Sequence, residues 1–338
     1  MNREKHEKRN FWLLLALAVV AGLGFLVWGQ FNTASTIFDL GFLRRNAAEV
    51  MTSAEGVELG EEQQADYEAM VHAGEVWAEN TPRTQGSWET GTVTRWFGET
   101  ARLRLSYESY SQSRGRTVIL LHGFMQTEAD VRYWGSFWWD RGWDVLIPQM
   151  RGDGEAEGTA VPSTYGVYEQ FDLYDLIQAA NLTRDTLVIQ GRGAGAAAAV
   201  LLAANPELRD AGVDGIVAES IYANMGADSQ TLVKKLFKLG NPLLLRFLNY
   251  QIRQKLGFLP ESVDLPSAAA NCAMPGLFLW GEDDNFLSPE CSRAVSAAWG
   301  GEKRAAALRG GHRLLWARSE DAYRSELEAF LDLLEQDH

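Results

Sequence analysis

Six short apolar segments, Thr117–Leu121, Val145–Pro148, Leu187–Gln190, Gly215–Ala218, Leu277–Trp280 and Arg304–Leu308, alternate with stretches of helix length. Parallel strands need crossover connections, and the crossover helices cover both sheet faces. The chain is therefore expected to form an α/β fold around a mostly parallel sheet. Upstream, Thr92–Phe97 and Arg102–Glu108 carry strand formers and read as an antiparallel hairpin. Between Ile221 and Ala270 no strand pattern occurs. There Leu232–Leu256 reads as one or two helices mixing Lys234, Lys235, Lys238, Arg246 and Arg253 with leucines and phenylalanines. An insertion after the Gly215–Ala218 strand would sit over the carboxyl ends of the strands as a helical lid, 221–270. It is either a cap packed on its own core, or an apolar wall for an acyl substrate or a membrane-touching surface. Val131–Trp143, rich in Trp and aromatic rings, has the length of a crossover helix and is read as core packing.

With 338 residues the chain can hold one large domain plus accessories. A net charge of −14 argues against a nucleic-acid partner, which needs a clustered basic surface. Phe11–Trp28 is uncharged and mostly apolar, follows Arg3, Lys5, Lys8 and Arg9, and carries Trp12 and Trp28 near its ends. About 20 such residues span a bilayer as a helix, and flanking bases stay on the cytoplasmic side. The expected organisation is a cytoplasmic N-terminus (1–10), a transmembrane anchor (11–30), a stalk and helical lead-in (31–87), and the main domain (88–338) outside the cytoplasm. Within the lead-in, helices are expected near Phe38–Arg45 and over Glu61–Glu79. A cleaved signal peptide is the rival reading of the apolar run, with a faint cleavage site near Thr33-Ala34-Ser35. Cys272 and Cys291 flank the Gly276–Gly281 strand, roughly 20 Å long, so two free thiols are expected rather than a disulfide.

Candidate chemistry sits at the strand ends. Thr186–Gln190 runs into Gly191-Arg192-Gly193-Ala194-Gly195 and an alanine-rich helix. In Gly-x-Ser-x-Gly turns of this kind the middle residue is a serine nucleophile, and here it is Gly193. Leu120-Leu121-His122-Gly123-Phe124 closes another strand. The amide of Phe124, with that of Ala194, is placed to hold an oxyanion, while His122 reads as structural. Gly281-Glu282-Asp283-Asp284 follows a late strand and offers Asp284 as the acid. Leu308-Arg309-Gly310-Gly311-His312 follows the last strand and offers His312 as the base. Gly191–Ala196 also fits the dinucleotide pattern G-x-G-x-x-A, but it lies mid-domain and Glu219 comes late for the ribose acid. No His-Glu-x-x-His, paired-Cys spacing or carboxylate cluster points to a metal, and no cofactor is expected.

From about residue 88 onward the chain resembles the α/β-hydrolases. It is most similar to their membrane-anchored bacterial branch related to serine aminopeptidases and esterase- or lipase-like proteins. The resemblance rests on Val118–Gly123, Gln149-Met150-Arg151-Gly152-Asp153-Gly154, Ser163–Glu169, Gly281–Asp284 and Gly311-His312, in the family's order. It implies ester or amide hydrolysis of an acyl or peptide substrate by a nucleophile–acid–histidine triad. Gly193 departs from that pattern, since glycine cannot form an acyl-enzyme. Three readings stay open: a non-catalytic binder of a ligand or partner, a hydrolase in which His312 and Asp284 activate water, and glycine substituted into an otherwise active serine hydrolase.

Overall fold

The computed structural model describes residues 22–39, 59–91, 94–96, 99–124, 126–152, 162–237 and 241–336. Eight strands form one sheet in the order β1-β4-β6-β5-β7-β8-β9-β10. They are β1 (Thr84–Glu89), β4 (Arg104–Tyr110), β5 (Arg116–Leu121), β6 (Asp144–Pro148), β7 (Thr186–Arg192), β8 (Val213–Glu219), β9 (Gly276–Gly281) and β10 (Lys303–Leu308). β4 runs antiparallel to both β1 and β6, and the pairings from β6 to β10 are parallel. All six expected parallel strands are present, each within a residue or two of its expected ends.

The expected hairpin pairs differently. β4 takes β1 as its partner, with Trp88 buried opposite Leu105 and Gly86 beneath the Tyr107 ring. β2 (Thr94–Trp96) pairs instead with β3 (Glu99–Ala101) in a separate two-stranded sheet. Thr84–Glu89 lacks an apolar alternation, having one buried apolar residue, so its pattern does not announce a strand.

Side chains alternate across the central strands and build two cores. Ile119, Leu121, Ile189 and Phe278 face one side; Val118, Leu120, Val188 and Leu277 face the other. The first core includes helix Ala194–Ala204, whose Ala196–Ala199 are fully buried. Alanines permit close approach there: a Cβ on Gly166 would lie 2.8 Å from the Ala198 nitrogen. The second core holds the aromatic crossover helix Arg132–Asp140, with Trp134, Phe137 and Trp138 fully buried, and the final helix Leu315–Gln336.

Between β8 and β9 lie the helices Met225–Phe237, Pro242–Leu256 and Leu265–Ala269. Leu244, Leu248, Ile252 and Leu256 join the first core, so the Pro242–Leu256 helix packs on the main domain and not on a core of its own. Glu61–Asn80 is helical, as expected. Residues 22–39 are helical as well, while 40–45 of the other expected helix lie outside the described residues. Among the described residues no helix is long and apolar enough to cross a membrane. Phe11–Ala21, the first part of the expected anchor, lies outside them.

Cys272 and Cys291 are free and buried, and burial pushes both thiols up to about 12.

Candidate active site

β7 ends in a turn whose centre, Gly193, has φ +52° and ψ −111° and caps the helix Ala194–Ala204. The Gly193 carbonyl accepts the first helical hydrogen bond from Ala197, so the Ala194 amide belongs to the unpaired N-terminal turn. Such amides, aligned with the helix dipole, form a ready anion site. The flanking glycines are required by contact. A Cβ on Gly191 would lie 2.5 Å from the Ala196 nitrogen, and one on Gly195 would lie 2.6 Å from the His122 carbonyl oxygen. The second contact sets this turn directly against the loop carrying Phe124. At Gly193 a Cβ would meet nothing closer than the Ser220 carbonyl oxygen at 3.9 Å.

Asp284 and His312, the expected acid and base, come together. His312 Nδ1 lies 2.9 Å from Asp284 Oδ2. A carboxylate only accepts, so Nδ1 carries the proton and Nε2 is left with a free lone pair. Asp284 is itself fixed, because its Oδ1 accepts from the Phe286 and Leu287 amides at 2.9 Å each. Burial raises the Asp284 carboxyl, but the facing His312, its hydrogen bond and the two amides outweigh burial and hold it below the ordinary value. The Phe286 ring lies 4.6 Å from the His312 ring, centroid to centroid, and restricts its orientation. Gly281 lets the two loops meet: a Cβ there would overlap the Gly310 carbonyl oxygen at 2.1 Å.

Arg313 ties this pair to the Phe124 loop. Its φ is +72°, and its Nη2 donates to the Phe124 carbonyl at 3.4 Å. The Phe124 and Tyr165 rings pack tilted to each other, centroids 4.9 Å apart. Tyr165 belongs to a loop stapled by Glu169, which accepts from the Thr164 and Gly166 amides and from both Ser163 and Thr164 hydroxyls. Buried Arg151 grips Asp172 with two bonds of 2.6 Å, bracing the neighbouring turn. His122 is buried, its Nδ1 3.0 Å from the Gly123 carbonyl oxygen.

Sequence reasoning missed what lies beneath the Gly193 turn. Arg192 and Glu219 are both fully buried and paired. Arg192 also donates to the Tyr133 hydroxyl, and the Tyr323 hydroxyl donates to Glu219 at 2.8 Å. Burial opposes the Arg192 charge, but Glu219 overcomes that and keeps it ionised. The available signal was an arginine among glycines and a glutamate ending an apolar strand. Ser220, which follows β8 and not the β7 turn, holds φ +47° beside Gly193. Among the described residues no cluster of three or more His, Cys, Asp or Glu side chains could hold a metal ion.

No family model matches the chain. An uncharacterised protein of Bacillus subtilis, YqkD, is 24% identical over 220 residues, which is 64% of this chain and 71% of that protein. Among solved structures, an esterase of Pyrococcus furiosus superposes with TM-score 0.56 at 16% identity, covering 76% of this chain and 92% of its own. A bacterial membrane phospholipase A superposes with TM-score 0.53 at 15% identity, covering 97% of this chain and 99% of its own. The chain thus has the α/β-hydrolase fold, shared with solved esterases and lipases.

Proposed function

We propose that this chain is a membrane-anchored acyl-ester hydrolase that works without an acyl-enzyme, with His312 activating water. The observation that carries the reading is the pairing of His312 with a buried, ionised Asp284, in a layout where Gly193 supplies backbone and no hydroxyl. A binder has no chemical need for an oriented base, and for that reason the catalytic reading is preferred.

In this mechanism a water occupies the space open at Gly193, where the nearest atom to a Cβ would be 3.9 Å away. As water oxygen adds to the ester carbonyl carbon, His312 Nε2 takes its proton, and Asp284 stabilises the imidazolium. The carbonyl π pair becomes an oxyanion, held by the amides of Phe124 and Ala194. The intermediate collapses, the ester C–O bond breaks, and the departing alkoxide takes the proton from His312. The products are a carboxylic acid and an alcohol. General-base catalysis contributes about 10²–10⁴-fold, so turnover should be slow beside a serine enzyme.

The anchor is supported by the uncharged run Phe11–Trp28 preceded by four basic residues. The superposition on a membrane phospholipase over nearly the whole chain agrees with it. The test is hydrolysis of short p-nitrophenyl esters by the purified full chain. Slow turnover with no initial burst, abolished in folded His312→Ala, is the expected result. Turnover unchanged by His312→Ala contradicts the mechanism. Absence of turnover with retained ester binding leaves the binding reading.

A further inference from the structure

The helix over residues 22–39 is both exposed and bound, and the division between the two falls along its length. Leu23, Phe25, Leu26, Val27 and Trp28 are exposed, with Phe25 at 68% and Trp28 at 59%. Ala34, Ile37 and Phe38 are buried in the main core. Between these halves the helix meets Pro242–Leu256. Asn241 donates to Gln30 at 2.6 Å, the Phe31 and Phe247 rings meet edge to face, and Lys255 pairs with Asp39 and lies over the Phe38 ring. The two helices therefore run side by side in the same sense, with Asn241 level with Gln30. Gln30 follows Trp28 by two residues, about 3 Å of helix.

Charge is distributed just as unevenly. Residues 225–256 carry six basic side chains (Lys234, Lys235, Lys238, Arg246, Arg253 and Lys255) against Asp228 alone, a net of +5 in a chain of −14. Lys234, Lys235, Arg246 and Arg253 are exposed, and none pairs with a carboxylate among the described residues. Leu243 and Tyr250 are exposed on the same helix as Arg246 and Arg253. A basic surface with protruding apolar side chains, fixed next to the end of an 18-residue apolar run, matches an anionic lipid interface.

We propose that the Pro242–Leu256 helix, with the end of the Met225–Phe237 helix that precedes it in the chain, is a membrane-docking surface, held by the 22–39 helix so that Leu243 and Arg246, and Lys234 and Lys235 before them, meet anionic lipid head groups. This rests on the anchor reading above. Once Trp28 marks the bilayer boundary, the Gln30–Asn241 and Phe31–Phe247 contacts fix the depth of the lid. The lid then lies at the level from which a lipid-derived acyl ester would leave the bilayer.

The test uses the full chain in phosphatidylcholine vesicles, with and without phosphatidylglycerol. Leu243→Cys is labelled with an environment-sensitive fluorophore, the native thiols being buried and pushed up to about 12. Glu335→Cys, near the amino-terminal end of the sheet, serves as the distant control. Head-group spin-labelled lipid should quench the label at 243 and not at 335, more strongly with phosphatidylglycerol. The variant K234E/K235E/R246E, with an unchanged melting profile, should lose at least half of that quenching, and K234R/K235R/R246K should keep it. If the protein survives an alkaline wash on the vesicles while position 243 stays unquenched, the docking proposal fails and the anchor stands. Position 243 crosslinking to a second copy and shielded from lipid would also overturn it. Release of the protein by the alkaline wash overturns both.

Discussion

His312 Nδ1 donates to Asp284 Oδ2 across 2.9 Å, between two loops that follow β9 and β10. Parallel pairing of those strands brings the loops to the same sheet edge, and Gly281 removes the side chain that would keep them apart. This contact has a pH signature. The folded Asp284 carboxyl sits below its ordinary value of 3.8, so the unfolded chain binds the proton more readily. The stability it contributes is complete above that value and is lost as pH falls through the lowered folded value. Urea midpoints of the native protein and Asp284→Asn should converge as pH falls below about 4. A difference that grows as pH falls below about 4 contradicts the lowered Asp284 carboxyl.

The Arg192–Glu219 pair makes a second prediction. Removing one partner strands a charge in a fully buried site, at a cost of about 3–5 kcal/mol. Arg192→Met should therefore lower the unfolding free energy by that amount in urea titrations. Arg192→Met combined with Glu219→Leu should recover part of the loss, as no charge is then left unpaired. A single variant within about 1 kcal/mol of the native protein contradicts the burial of this pair.

Glycines of the β7 turn should separate by cause. Gly191→Ala and Gly195→Ala place a Cβ 2.5 and 2.6 Å from backbone atoms, so the turn must move, at roughly 3 kcal/mol or more. Gly193→Ala meets open space and pays only for φ +52°, about 1–3 kcal/mol. Thermal melts that rank Gly193→Ala as the most damaging of the three contradict this account.

Much of the architecture was legible because parallel strands buried on both faces are short apolar runs, as at Val118–Leu121 and Leu277–Trp280. Asp284 follows such a run, Leu277–Trp280, by a few residues, whereas His312 follows an edge strand in which only Leu308 is buried. The β1–β4 pairing was not, since Thr84–Glu89 is an edge strand held by one buried tryptophan and a glycine beneath a tyrosine ring. Arg192 and Glu219 escaped because buried ion pairs are made between strands, and nothing in either segment names the partner. The contact of Arg313 with Phe124 joins residues 189 positions apart, a separation that no local pattern encodes.

Under the proposed function, Gly193 lacks the one hydroxyl of a site in which Asp284 and His312 serve as acid and base and the Phe124 and Ala194 amides as oxyanion donors. Fluorophosphonate labelling, which requires an activated serine, tests it most directly when the native protein and Gly193→Ser are compared side by side. The native chain should not be labelled, and Gly193→Ser should be labelled rapidly, with the labelling lost again on adding His312→Ala. Labelling of the native chain, or a folded Gly193→Ser that stays unlabelled, would contradict it.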